Sequence, residues 1–212
     1  KIWQIKNKMN IVIFGPPGAG KGTQSDFIVL KYNLFQLSTG NILRKEIKNQ
    51  SEIGLKIQKI INSGNFVSDE MVSKLVENII SDNNYKNRII FDGYPRNLSQ
   101  AKTLDELLLK YKQKVNLVLN LTTKLETITK RISGRFSCSK CGKIYNKFFN
   151  PPPKKKECCF DEFLIRRDDD NIDVATKRFN TYEKQTEPVL DFYRKKKLLK
   201  EVNGESSIDK IC

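Results

Sequence analysis

Gly15-Pro16-Pro17-Gly18-Ala19-Gly20-Lys21-Gly22-Thr23 combines glycines, a lysine and a hydroxyl in the way an anion site requires. Closely spaced glycines let consecutive backbone N–H groups turn toward one phosphate, and a helix starting at the end of such a run adds its partial positive charge. A lysine there reaches the outer phosphates of a nucleoside triphosphate, and a hydroxyl in the first helical turn can ligate Mg²⁺. The generic pattern places that hydroxyl directly after the lysine, whereas here Gly22 intervenes and Thr23 carries it. The chemistry indicated is the cradling of a polyphosphate.

Two further segments carry groups suited to a second nucleotide. In Ser38-Thr39-Gly40-Asn41-Ile42-Leu43-Arg44 a hydroxyl stands near a predicted helix start, and an arginine follows five residues on, more than one turn inside. Such a pair could read a base and a phosphate of one nucleotide; a hydroxyl before a helix is equally an ordinary cap. Asp92-Gly93-Tyr94-Pro95-Arg96 follows the apolar run Arg88-Ile89-Ile90-Phe91. At the carboxyl edge of a sheet, Asp92 could hold Mg²⁺ through water and Arg96 could clamp an acceptor phosphate. Arginine concentrates in such places: six of the nine (Arg44, Arg96, Arg131, Arg135, Arg167 and Arg178) fall in motifs that want a fork of donors for phosphate oxygens.

Four of the five cysteines lie between positions 138 and 159, a clustering that suggests metal and not a secreted disulfide framework. Cys138-Ser139-Lys140-Cys141, followed by Gly142, is a C-x₂-C knuckle, and Asp161 stands three residues past Cys158. Cys159 is an alternative third ligand that would break the spacing. Four protein ligands would close the shell, making a Zn²⁺ there structural.

These groups need a scaffold. Ile11-Val12-Ile13-Phe14, Arg88-Ile89-Ile90-Phe91 and Val115 to Leu121 read as buried parallel strands, and helical patterns, beginning with Gln24 to Tyr32, fill most intervals. The pattern predicts an α/β fold with a parallel sheet covered on both faces. It is interrupted twice: from Ser38 to Val67 by short amphipathic helices with Gly54 and Gly64 as breaks, and from Gly134 to about Asp170 by Cys, Lys, Pro and aromatic residues without helical period. Both read as lobes set into one core, which is what 212 residues can support. No apolar run approaches the roughly 20 residues of a membrane span. The net charge of +15 is mostly scattered lysine, and the runs Lys154-Lys155-Lys156 and Lys195-Lys196-Lys197 read as solvated faces, so neither nucleic acid nor membrane is expected as a partner. The residues from Lys1 to Lys6 are too few and too polar for a signal peptide, and a chain opening on Lys1 with Met9 its first methionine leaves room for a longer precursor.

Together, the loop from Gly15 to Gln24, the segment from Ser38 to Arg44 and the turn from Asp92 to Arg96 resemble the adenylate kinases, over nearly the whole chain from about Met9 onward. The displaced hydroxyl at Thr23 is the form that nucleoside monophosphate kinases use. The resemblance implies a P-loop NTPase fold with a core of residues 9–37, 68–133 and 171–212, an AMP-binding lobe at 38–67 and a lid lobe at 134–170. It implies reversible, Mg²⁺-dependent phosphoryl transfer from ATP to AMP, giving two ADP. ATP would be held by Gly18, Ala19, Gly20, Lys21, Gly22, Thr23, Arg131, Arg135, Ile144, Tyr145 and Ser206. AMP would be held by Thr39, Arg44, Asn65, Phe66, Val67, Gly93, Tyr94, Pro95, Arg96, Gln100, Arg167 and Arg178, with Gln100 on the adenine edge. Lys21, Asp92, Arg96, Arg131, Arg135, Arg167 and Arg178 would be the catalytic set. The same arginines could also pair with Asp168, Asp169 and Asp170, which would orient them without consuming every donor. Cys138, Cys141, Cys158 and Asp161 match the zinc-bearing long lids of the family, although the chain is one residue short between Asp161 and Arg167.

One departure stands out: the family usually has aspartate where this chain has Asn41, which would shift support of magnesium's water shell to Asp92. The expected enzyme is a monomer acting in the cytoplasm, or in mitochondria if an N-terminal segment is missing. Three alternatives remain. One is a kinase of the same fold using GTP, or acting on UMP and CMP. Another is a basic zinc-ribbon protein that binds nucleic acid, and the third is a regulatory relative weakened by Asn41. Thr39, Gln100 and Gln24 favour AMP and ATP, and the long second insertion argues against the UMP/CMP group.

Overall fold

The computed structural model describes residues 8–50, 52–62, 67–152, 161–166 and 170–206. Its main sheet contains β1 (Asn10–Phe14), β2 (Phe35–Ser38), β3 (Ile89–Asp92), β4 (Val115–Thr122) and β8 (Leu199–Asn203), all parallel, in the order β2-β3-β1-β4-β8. Strand alternation explains the burial of β1 on both sides. Val12 and Phe14 join Leu37, Ile89, Phe91 and Val118 in one apolar cluster, while Ile11 and Ile13 join Ile90, Leu34 and Leu121 in another. Each such side chain removed from water contributes roughly 1.5–3 kcal/mol.

Helices α1 (Lys21–Tyr32), α4 (Asp69–Ile80), α5 (Leu98–Lys110) and α6 (Leu125–Ser133) alternate with the strands. The expected strands are all present, with β1 starting at Asn10 and β3 running Ile89–Asp92. Sequence patterning overlooked β2 and β8. Both are short edge strands that mix polar with apolar residues, so neither carries a long apolar run.

At the amino edge of the sheet a buried amide replaces apolar packing. Asn10, fully enclosed, donates to Gln113 Oε1 (3.2 Å) and the Lys114 carbonyl (3.1 Å), and accepts from the Ile89 N–H (3.1 Å). Gln113 in turn donates to the Ile80 carbonyl (2.9 Å) and accepts from the Asn87 N–H (2.8 Å).

The first interruption contains α2 (Thr39–Lys48) and α3 (Glu52–Asn62). Gly54 does not break a helix, contrary to expectation. It lies inside α3, where a β-carbon would come 2.2 Å from the Glu46 carbonyl oxygen, so its small size lets the two helices touch. Gly64 lies outside the described residues. The second interruption holds a small antiparallel sheet, β6-β5-β7, of β5 (Arg135–Cys138), β6 (Ile144–Asn146) and β7 (Leu164–Ile165). The chain then runs as α7 (Ile172–Thr181), a π-helical segment Tyr182–Thr186, and α8 (Glu187–Lys195) without a break. Among the described residues no helix is long and apolar enough to cross a membrane.

Candidate active site

All five parallel strands deliver their carboxyl ends to one edge, where the loop from Gly15, the start of α2 at Thr39 and the turn after Asp92 follow β1, β2 and β3. Gly15 makes the turn out of β1 possible: its φ is 145°, and a β-carbon would stand 2.9 Å from the Leu121 carbonyl oxygen on β4. The loop closes on itself through the Ala19 N–H to Pro16 O bond (3.1 Å), and α1 begins after Gly20. Gly18 packs against Ile128 and Ile132 of α6, and Thr23 lies in the first turn of α1. Lys21 Nζ donates to the carbonyls of Gly15 (2.7 Å) and Pro16 (3.1 Å), so the ammonium lies over its own loop. Burial pushes its pKa down to about 8; the Asp92 carboxylate opposes that, and Arg96 and Arg135 add to it. The lysine, two arginines and the aspartate, from separate segments, therefore share one electrostatic neighbourhood.

Arg131, near the end of α6, donates to the carbonyls of Ala19 (3.0 Å) and Gly204 (2.7 Å) and packs 5.4 Å from the Phe149 ring centre. The Gly204 turn, with Ser206 two residues on, is tied to the start of α6 by Glu205, which accepts from Lys124 N–H (2.8 Å) and the Thr127 hydroxyl (2.9 Å). Ile144 brings β6 to the phosphate loop, its Cδ1 3.8 Å from where a β-carbon on Gly22 would be. Tyr145 turns its side chain into the small sheet's own cluster with Cys138, Phe163 and Leu164. Arg135 Nε donates to Asp170 Oδ2 (2.9 Å), and a second guanidinium nitrogen meets Oδ1. That is one of the arginine–aspartate pairings anticipated for this segment.

A second cavity lies beside the phosphate loop, lined by Thr39, Leu43, Val67, Val72, Gly93, Arg96 and Gln100. Ser38 is the cap of α2, its hydroxyl accepting from Asn41 N–H (3.4 Å). Thr39 is thereby released from capping and donates to the Gly93 carbonyl (2.9 Å). Gly93 has φ 78°, and a β-carbon there would fall 3.0 Å from Thr39 Oγ1. Tyr94 is buried, with its hydroxyl 3.3 Å from Ser73 Oγ, and its peptide to Pro95 is cis. Arg96 Nε donates to the Gly93 carbonyl (2.8 Å). Burial depresses the Arg96 pKa, Arg178 and Arg44 push the same way, and Asp92 opposes, so α2, α7 and this turn aim cations at one place. Arg44 Nη2 donates to Asn41 Oδ1 (2.7 Å).

Asp92 Oδ2 accepts from Gln36 Nε2 (3.1 Å). Asp26, one turn into α1, has its pKa raised by burial and then by Asp92, with Lys143 of the small sheet opposing. Sequence reasoning missed Gln36, Asp69 and Asn97. Gln36 lies on an unrecognised strand, and Asp69 with Glu70 forms the acidic first turn of α4, a pattern common to helix starts. Asn97, three residues before Gln100, is a legible cap whose second role depends on the fold.

Cys138 ends β5, buried, and the exposed Cys141 follows in a turn closed by Gly142 N–H to Cys138 O (2.9 Å) and Cys138 N–H to Lys143 O (2.9 Å). The backbone of the short 3₁₀ turn Asp161–Phe163 runs alongside, with Ser139 N–H donating to Phe163 O (2.8 Å). Cys158, like Asn65, Phe66 and Arg167, lies outside the described residues. Among the described residues no group of three His, Cys, Asp or Glu stands together as a metal cage.

A parallel sheet in this order, with a glycine-rich phosphate loop after its central strand and a second cavity at the same edge, defines a P-loop nucleoside monophosphate kinase. The family model described as adenylate kinase matches residues 13–198. The adenylate kinase of Pelagibacter ubique is 46% identical over 203 residues, covering 96% of this chain and 95% of its own. Those of Fusobacterium nucleatum and Acetivibrio thermocellus are 42% and 43% identical, each covering at least 95% of this chain and 93% of their own. The chain belongs to the adenylate kinase family. Transfer between ATP and AMP is the reading these relatives fit, and the GTP-dependent and nucleic-acid-binding alternatives are not.

Proposed function

We propose that ATP occupies the phosphate loop, AMP occupies the cavity beside Thr39 and Gln100, and the γ-phosphoryl group passes directly between them. A phosphate oxygen of AMP forms the new P–O bond as the bond to the β–γ bridging oxygen of ATP breaks, and two ADP result. The acceptor oxygen is already anionic, so no strong general base is needed, consistent with a chain that contains no histidine. Catalysis rests on positioning and charge: Lys21, Arg131 and Arg135 on the donor phosphates, Arg44 and Arg96 on AMP, and Arg167 and Arg178 on the migrating group. The observation that carries this reading is the cavity lined by Thr39, Gly93, Arg96 and Gln100 at the same sheet edge as the glycine-rich loop over which Lys21 folds.

Mg²⁺ would offset charge on the transferring phosphates. The Thr23 hydroxyl and Asp92 carboxylate suit it, because Asp92 is oriented by the neutral Gln36 amide and stands at the strand end beside the loop. Asn41 offers an amide whose oxygen is already taken by Arg44, which leaves Asp92 the principal carboxylate for this task.

Residues 38–67 and 134–170 would act as lobes closing over a core of 9–37, 68–133 and 171–212, excluding water that would otherwise hydrolyse ATP. The enzyme would act as a monomer, and the nucleotide substrates favour the cytoplasm. A structural Zn²⁺ on Cys138, Cys141, Cys158 and Asp161 is supported by the knuckle's two closing hydrogen bonds and by the Ser139–Phe163 contact that brings the Asp161 backbone beside it. Metal analysis should find about one zinc per chain, and a chelator should lower the unfolding temperature; a metal-free protein of equal stability would refute this assignment.

The function itself is tested by pairing ATP or GTP with AMP, GMP, UMP or CMP and following the diphosphates formed. Turnover should be fastest with ATP and AMP. Absence of turnover with either AMP pairing would overturn the reading.

A further inference from the structure

Gln100 is 5% exposed and both ends of its amide are already engaged. Its Oε1 accepts from the Arg96 N–H (2.7 Å), and its Nε2 donates to Asp69 Oδ1 (2.6 Å). These two partners have fixed polarity, since a backbone N–H can only donate and an ionised carboxylate can only accept. The amide therefore has one permitted orientation. Asp69 is itself fixed: Asn97 Nδ2 donates to both of its oxygens (2.9 and 3.2 Å), and Asn97 cannot turn over because its Oδ1 accepts from the Gln100 N–H (2.8 Å).

We propose that Asp69 is a specificity-determining positioning residue, locking the Gln100 amide so that its remaining N–H and its remaining lone pair are presented in the one order that suits adenine. A primary amide has two donors and two acceptor sites, so one of each is left to face the cavity. The Watson–Crick edge of adenine sets an acceptor beside a donor, and hypoxanthine and guanine reverse that order. A glutamine free to flip would serve either edge. With Asp69 in place, flipping would set the Gln100 carbonyl against a carboxylate and the NH₂ against an N–H, leaving buried polar groups opposed and unpaired. Asp69 belongs to the first turn of α4, so the helix that follows the first inserted segment supplies base selectivity without touching the nucleotide.

The inference rests on the reading that Gln100 faces the acceptor base. Its test compares kcat/KM for AMP and for inosine monophosphate, with ATP as donor, in the wild type and in Asp69→Asn and Gln100→Ala. An asparagine at 69 can donate as well as accept, so the lock is lost while shape is kept. The AMP-to-IMP preference should contract by about tenfold or more, through a raised KM for AMP and with KM for ATP unchanged. Asn97→Asp retains the helix cap but repels Asp69, and should contract the ratio in the same way, giving a second reading should the first variant fold poorly. A ratio preserved in Asp69→Asn and Asn97→Asp but collapsed in Gln100→Ala would overturn the lock alone. A ratio preserved in all three would overturn the assignment of Gln100 to the base, and the lock with it.

Discussion

Arg135 and Asp170 form an ion pair in which the carboxylate is almost wholly enclosed, the side chains being 19% and 1% exposed. The pair ties the first residue of β5 to the segment that enters α7. Asp170→Asn keeps the shape but strands the guanidinium without its counter-charge. Thermal unfolding should show a loss of roughly 3 kcal/mol, and KM for ATP should rise as Arg135 loses its aim. Unchanged stability together with an unchanged KM would show that the pair is incidental.

Lys21 carries a pH signature. Its folded pKa of about 8 lies below the ordinary 10.5, so between those values the unfolded chain binds more protons than the folded one. Stability from this group therefore rises with pH across that window, by up to about 1.4 kcal/mol per pH unit, and the cost of burying the ammonium is fully present below it. Lys21→Met should be more stable than the wild type at neutral pH, with an advantage that shrinks in alkaline urea titrations, while kcat falls at least about a hundredfold. A stability difference that does not vary with pH would contradict this account.

Gly93→Ala should act on one substrate only. A β-carbon there would press on Thr39 Oγ1 at 3.0 Å and Arg96 Nη2 at 3.4 Å, from a backbone at φ 78° that side chains resist. KM for AMP should rise on the order of tenfold to a hundredfold, with KM for ATP within about twofold. Equal effects on both constants would mean that the turn supports the whole edge and not the cavity alone.

Asn10→Ala separates stability from catalysis. It strands Ile89 N–H and part of the Gln113 amide in a dry interior, for an expected loss of about 2–4 kcal/mol in chemical denaturation. Both Michaelis constants should hold at a temperature where the variant is folded. A rise in either would mean that the far edge of the sheet communicates with the site.

The phosphate loop, the Asp92–Arg96 turn and the three strongest strands were legible because each is a local signal: a dense motif, or an apolar run bounded by turn residues. What escaped depends on distance in sequence. Asp69 meets Gln100 only after α4 and α5 are brought together, and Gln36 meets Asp92 only because β2 pairs with β3. Gly54 was misread for the same reason, since its close neighbour, Glu46, belongs to the preceding helix. Ser38 and Thr39 show the converse limit. Adjacent hydroxyls at a helix start cannot be ranked by composition, and only the structure shows which caps and which reaches Gly93.

The unbroken passage from α7 through Tyr182–Thr186 into α8 sets a phase. A π turn holds one residue more than the α-turn it replaces, which rotates everything on one side of it relative to the other by about 100°. Arg178 is clocked toward Arg96, while Tyr193 on the far side is clocked into the core, and the Tyr182 hydroxyl pins the join to Asn120 at 3.2 Å. Removing a single residue from Tyr182–Thr186 would turn α7 and α8 by about 100° relative to each other, so Arg178 and Tyr193 could not both keep their places. One surplus residue thus sets where that charge points.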